Sequence, residues 1–219
     1  MHILNKKYRN TSYLQILAHN MRRNHPIKYI VLDDFLDPEF FDSLMNEIHT
    51  SKHHLVWDSN WREIHYTSWY FSKIFWSFYL SQDMRDFLYN FYPKWIKIEW
   101  LKWWKNILQK FLNIFSRKNG LFFRKNVIFS QLDWHTDWPQ SKIAWSFILY
   151  LNKEWESAWG WNLVLWYPSV LWIHPYAEIP PICNRCVLLV CEENISWHRV
   201  SRLTWPNSRL FIHDQILYT

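Results

Sequence analysis

Apolar positions along this chain follow two different rhythms. Phe40, Phe41, Leu44, Met45 and Ile48 recur at three- and four-residue intervals, which predicts an amphipathic helix. Asp37 is placed to cap it and Pro38 to begin it, because proline lacks the N–H that a first turn leaves unpaired. Just upstream, residues 29–35 read as a buried strand, and residues 51–70 as an irregular polar stretch rich in His and Trp. Leu101, Trp104, Leu108, Phe111, Leu112 and Phe115 form a second helical stripe with Lys102, Lys105, Gln109, Lys110 and Asn113 opposite. Such a helix suits the back of a β-sheet better than a membrane surface. After Gly120 the rhythm becomes short runs, at 121–123, 127–132, 143–151, 163–167, 187–190, 198–203 and 209–217. Pro-containing turns at 137–139, 167–168, 180–181 and 205–207 separate several of them. The pattern predicts an α+β fold in one domain, residues 28–219. Residues 28–120 form a mostly helical support and 121–219 a β-barrel core.

An apolar fraction of 49% with 20% charged residues excludes a disordered chain. No apolar run approaches the roughly 18 residues of a membrane span, and residues 1–26 lack the apolar middle of a signal peptide. The expectation is a soluble, cytoplasmic protein. Residues 1–28 hold six basic and no acidic residues, while the remaining 19 basic and 19 acidic residues cancel. Residues 1–27 therefore read as a basic arm, a solvated helix or loose tail that could contact RNA, a ribosome or an acidic partner. Cys183 and Cys186 form a CxxC, but no second pair completes a zinc site. Cys186 and Cys191 bracket a buried-strand pattern in which cysteine packs as a small hydrophobe.

Candidate chemistry centres on His135 and Asp137. Two residues apart on an extended strand, they face the same side and can reach one ion. His198 would complete two imidazoles and one carboxylate, the facial triad of non-haem Fe(II) oxygenases. Arg209, beyond the turn at 205–208, could return alongside His198 and offer its planar fork to a carboxylate. With 11 His and 10 Asp in 219 residues, chance alone yields about 0.5 His-x-Asp matches. The weight therefore lies in the order: His-x-Asp, several strands, a distal His, then Arg.

In that order the sequence resembles the 2-oxoglutarate- and Fe(II)-dependent oxygenases, specifically their prolyl 4-hydroxylase-like branch. The matching text is Ile30–Pro38, His135-Thr-Asp137, Ile148–Trp155, Gly160–Leu163, His198-Arg-Val200 and Arg209. The resemblance implies a double-stranded β-helix, a jelly-roll or cupin-like barrel, backed by the N-terminal helices. It implies Fe(II) on His135, Asp137 and His198, with Arg209 and Tyr150 holding the distal carboxylate of 2-oxoglutarate. The interval from His198 to Arg209 is slightly long, which leaves Arg199 and Arg202 as alternative partners. The implied activity is hydroxylation of a substrate, peptidyl proline being the first candidate, with release of succinate and CO₂ and with ascorbate as a supporting reductant. Asp137 argues against halogenase chemistry, which needs its position vacant. The contrasting reading is a non-enzymatic β-barrel module whose basic arm and aromatics bind RNA or an acidic partner.

One departure from the family leads back to composition. The chain carries 18 Trp and 2 Gly, where average usage gives roughly 15 Gly. Members of the family have Gly-Gly where Gly160-Trp161 stands here. Trp138, Trp205, Trp134 and Trp100 likewise fall where the family has glycine or another small residue, whereas Trp155 and Trp159 stand where it has Trp. UGA encodes glycine in some bacterial genetic codes and tryptophan in others, so this surplus reads as glycine recoding.

Overall fold

The computed structural model describes residues 2–24, 26–50, 53–57, 63–67, 74, 77–78, 81–91, 123–126, 132–136, 144–167, 175–192, 195–202, 204 and 209–217. The expected helix at 101–115, and positions 100, 138 and 205, lie outside these residues.

The N-terminal segment is part of the core. A short 3₁₀ turn, Lys6–Arg9, leads into α1, Thr11–Arg23, and Asn5 and Asn10 cap the two by accepting from the N–H groups of Lys7 and Tyr13. Leu14, Ala18 and Met21 recur on one face of α1 and are buried, while Arg22 and Arg23 stay outside. Asp83, on α3 (Gln82–Phe91), accepts the N–H groups of Ile3 and Leu4 at 3.0 and 3.3 Å. The Tyr8 phenol donates to the Asp33 carbonyl at 2.6 Å, and burial pushes its pKa upward. The basic residues therefore decorate an ordered face of the domain.

β1, Tyr29–Leu32, and α2, Pro38–Thr50, form as the spacing predicts, with the Asp37 carboxylate accepting the Glu39 N–H. The expected irregular stretch at 51–70 contains instead an antiparallel pair, β2 (His53–Trp57) and β3 (Glu63–Thr67). These strands lie at one end of the large sheet and carry polar residues among the apolar ones, so no apolar run marks them. β4 (Phe123–Asn126) and β5 (Leu132–His135) flank the expected run at 127–132, and β6 (Ala144–Tyr150) follows. The remaining strands are β7 (Leu163–Trp166), β8 (Ala177–Ile179), β9 (Cys186–Cys191), β10 (Trp197–Val200) and β11 (Arg209–Leu217).

Among the described residues the strands build two antiparallel sheets. One has seven strands in the order β1-β9-β6-β11-β4-β3-β2, the other four in the order β5-β10-β7-β8. Three strands from residues 29–67 thus join the large sheet, so the first half of the chain supplies more than helices. Alternation along β6 sorts the core into two layers. Trp145, Phe147 and Leu149 pack with Phe35, Phe40, Leu44 and Phe87 toward the helices, whereas Ile148 and Tyr150 pack with Leu163, Leu165 and Ile179 of the small sheet. β9 is divided the same way, which explains why Cys186–Cys191 is apolar throughout: both of its faces are covered.

Asn184 clips the N-terminal loop to this framework. Its side chain accepts the Leu36 N–H and donates to the Leu36 carbonyl, its own carbonyl accepts the Phe35 N–H, and its backbone sits at φ 54°. Asn tolerates that left-handed conformation better than most residues. Asn184→Ala is expected to cost about 2–4 kcal/mol, lost hydrogen bonds and backbone strain together. Asn184→Gly should cost about 1 kcal/mol less, since it keeps the backbone freedom. Urea unfolding of both variants checks the order; equal losses would show that backbone strain plays no part.

Candidate active site

His198 lies on β10 with β5 on one side and β7 on the other, directly opposite His135 of β5 and Leu165 of β7. The His135 and His198 rings meet with centroids 4.2 Å apart at 55°. His198 is buried and His135 half-buried. Two carbonyls set the chemistry of both rings. Nδ1 of His135 lies 2.7 Å from the Asp133 carbonyl, and Nδ1 of His198 lies 3.1 Å from the Ser196 carbonyl. A carbonyl oxygen only accepts, so Nδ1 carries the proton in each neutral ring and Nε2 carries the lone pair that a metal would take. Two adjacent imidazoles with basic Nε2 atoms are a donor set that suits Fe(II).

Each ring is anchored from behind. At the start of β10, the Ser196 Oγ donates to the Glu192 carbonyl and accepts the Glu192 N–H, while Lys28 pairs with the Glu192 carboxylate. On the other face of the small sheet, the Arg199 guanidinium sits 4.7 Å over the Trp134 ring, and Trp134 meets Trp166 at 5.8 Å. Strands alternate their faces, so this Arg199–Trp134–Trp166 chain of contacts ties β10, β5 and β7 together without entering the histidine side. Arg199 is thereby occupied away from His198, and Arg202 is exposed.

Of the other candidates, Tyr150 is fully buried in the layer between the sheets and stands opposite Phe211 of β11. Its backbone is held at both ends of the Asn184–Arg185 turn, its N–H donating to Arg185 and its carbonyl accepting from Asn184. Arg209 begins β11, paired with Asn126; its side chain, like all of Asp137, lies outside the described residues. Among the described residues no group of three His, Cys, Asp or Glu forms a metal cluster. Three features escaped the sequence reading: the Asp133 and Ser196 carbonyls, which any residue could supply, and the pair of Ser146 Oγ and His213 Nε2, 2.7 Å apart. Two-residue spacing from Phe211 to His213 was the available signal for the last of these.

The cysteines form no site of their own. All three are free thiols, Cys186 and Cys191 buried and Cys183 half-buried. Burial pushes the thiols of Cys183 and Cys186 upward, away from the reactive thiolate.

Residues 126–213 match the model of the 2OG-Fe(II) oxygenase superfamily. No curated protein matches the chain. Among solved structures, a prolyl 4-hydroxylase from Pseudomonas putida is similar with a TM-score of 0.61 at 13% identity, over 94% of this chain and 98% of that one. A Trichoplax adhaerens prolyl hydroxylase, solved with a hypoxia inducible factor oxygen degradation domain peptide fragment, is similar with a TM-score of 0.64 at 13% identity, over 95% and 90%. A prolyl 4-hydroxylase from Phytophthora capsici gives 0.61 at 16% identity, over 96% of this chain and 65% of that one. The resemblance read from the sequence is borne out: the superfamily match covers the β half, and the fold is prolyl 4-hydroxylase-like. Among the described residues no helix is long and apolar enough to cross a membrane.

Two outcomes test the site. In Co(II) titrations followed by absorption, His135→Ala and His198→Ala should each abolish tight binding. Arg199→Ala should weaken it only about 2- to 5-fold, the equivalent of a cation–π contact of roughly 0.5–1 kcal/mol. The native protein should react slowly with a thiol reagent at pH 8, and all three cysteines should react at once after unfolding. Rapid labelling of Cys183 and Cys186 in the native state would contradict their packing role.

Proposed function

We propose that this chain, prolyl 4-hydroxylase-like in fold and matched to the 2OG-Fe(II) oxygenases over residues 126–213, is an Fe(II)- and 2-oxoglutarate-dependent dioxygenase. The two facing sheets make its double-stranded β-helix. His135, Asp137 and His198 hold the iron, Arg209 and Tyr150 hold the co-substrate, and ascorbate keeps the metal reduced. The observation that carries the reading is the facing pair His135–His198, with both Nδ1 protons committed to backbone carbonyls.

Each residue has a physical task. The two Nε2 atoms and the Asp137 carboxylate would hold the iron, a two-imidazole, one-carboxylate donor set suited to Fe(II) chemistry with 2-oxoglutarate and O₂. When bound, the iron couples oxidative decarboxylation of 2-oxoglutarate to hydroxylation of the substrate, yielding succinate and CO₂. Arg209 offers two parallel N–H donors to the distal carboxylate, and the Tyr150 phenol donates a third hydrogen bond to it. Position 209 is two residues before Phe211, which packs beside Tyr150 between the sheets, and this supports the pairing. Ile148, Leu163, Leu165 and Phe211 keep the neighbouring volume apolar, which strengthens the ion pair and excludes water. The peptide bound to the Trichoplax adhaerens enzyme supports a peptidyl substrate, proline first. The reaction is separately proposed for the cytoplasm.

Anaerobic titration with Fe(II) and 2-oxoglutarate should produce a visible metal-to-ligand charge-transfer band. His198→Ala should abolish it. Arg209→Ala should keep iron binding but weaken 2-oxoglutarate on the order of 100-fold, since losing one partner of a buried charge pair costs about 3 kcal/mol. Succinate release should then follow addition of proline peptides. Absence of the band in the unmutated protein would favour a non-enzymatic binding module.

A further inference from the structure

Three non-glycine residues among those described adopt left-handed backbone angles: Asp34 at φ 51°, Asn184 at φ 54° and Trp161 at φ 62°. Asp and Asn are the types that enter this region, because their short side chains can bond locally. Tryptophan gains nothing there; a bulky residue at positive φ is a true outlier. Its neighbour Gly160 takes φ 78°, ψ −147°, a combination open essentially to glycine alone. The chain thus makes two successive turns that suit glycine, and only the first position has one.

The surroundings of Trp161 point the same way. The indole is fully buried against Val200 and Trp155, and Val200 is two residues beyond His198 on β10. Two buried polar atoms in the same loop have no hydrogen-bond partner among the described residues: Nε1 of Trp155 and Oδ1 of Asn162. A buried polar group without a partner is destabilising and uncommon in a native fold. The turn is nonetheless tightly specified. The Asn162 N–H donates to the Ser201 Oγ, the Ser201 N–H donates to the Asn162 carbonyl, and the Thr204 N–H donates to the Trp159 carbonyl. With its backbone pinned on both sides, position 161 cannot relax to negative φ to suit its side chain.

We propose that residue 161 is glycine in the protein as its own host makes it, inserted at a UGA codon, and that other members of the surplus, Trp134 with its Arg199 and Trp166 contacts not among them, are glycine for the same reason. Glycine removes the backbone strain and vacates the volume between Trp155 and Val200, which lets water reach the two unpartnered polar atoms. It also accounts for 18 Trp beside 2 Gly. Trp159 serves as an internal control, because it packs edge-on against Trp155 at 5.7 Å and is absent from the positive-φ positions. It remains tryptophan.

The test is a peptide from the host itself. Trypsin cleaves after Lys153 and Arg185, so a single fragment, 154–185, carries Trp155, Trp159, Gly160 and Trp161. Fragmentation by mass spectrometry should show glycine at 161 and tryptophan at 159, with UGA at codon 161 and UGG at codon 159 of the gene. Tryptophan at 161 in that peptide, or UGG at codon 161, overturns the proposal. Neither readout depends on iron, 2-oxoglutarate or catalysis, so the inference and the proposed activity stand or fall separately.

Discussion

The chemistry proposed for this protein depends on the antiparallel register that sets His198 of β10 opposite His135 of β5. A slip of one residue would turn either ring to the other face of the sheet and separate the pair. Three separate interactions oppose such a slip. Pairing with β7 fixes β10 on its far side, Arg199 stacked over Trp134 ties β10 to β5, and the Glu192–Ser196 turn sets where β10 begins. Lys28 reaches that turn through Glu192, so the segment preceding β1 contributes to the placement of a residue 170 positions later. Orientation of the rings is a backbone matter, since the carbonyls of Asp133 and Ser196 hold the Nδ1 protons.

The large sheet gives the site its rigidity. Its strands β1, β9 and β6 are covered on one face by the helices and on the other by the small sheet, and burial on both faces leaves β6 and β9 little freedom to move. Tyr150 faces the inter-sheet layer, while Leu149 and Leu151 on either side of it face the helices. The Asn184–Arg185 turn joins these layers at one point. It holds Tyr150 through backbone hydrogen bonds, Leu36 through the Asn184 amide and Asp33 through the Arg185 guanidinium, which also donates to the Pro180 carbonyl. A bidentate guanidinium–carboxylate pair is directional, so this turn has one favoured orientation.

The loop from Trp155 to Asn162 shows how far a fold can be specified around one ill-suited residue. Its hydrogen bonds to Ser201 and Thr204 hold the strand entering β7 beside the end of β10. These bonds are made by backbone groups and by a serine hydroxyl, so they do not depend on the side chain at 161. The backbone conformation is consequently set by the neighbours, and the side chain must accept it. Where the neighbours demand positive φ, glycine is the residue that accepts it at least cost.

Local spacing was enough to reveal α2, its Asp37 cap, and β6, β7, β9 and β11, because helix and strand periods are written within about ten residues. It was also enough to nominate His135, while motif order added His198 and the family resemblance added Tyr150; the fold places the three on the two sheets that face each other. It could not reveal β2 and β3, whose polar residues break the apolar run that marks a strand, nor that α1 packs its apolar face into the core while its basic residues stay outside. The Asp33–Arg185 pair, the Lys28–Glu192 pair and the carbonyls behind the histidines were equally hidden. Those contacts join residues far apart in the chain, or use backbone atoms common to every residue. Residue types and their periods carry the elements and the ligand candidates, while the register that brings His135 to His198 arises only when distant strands close on one core.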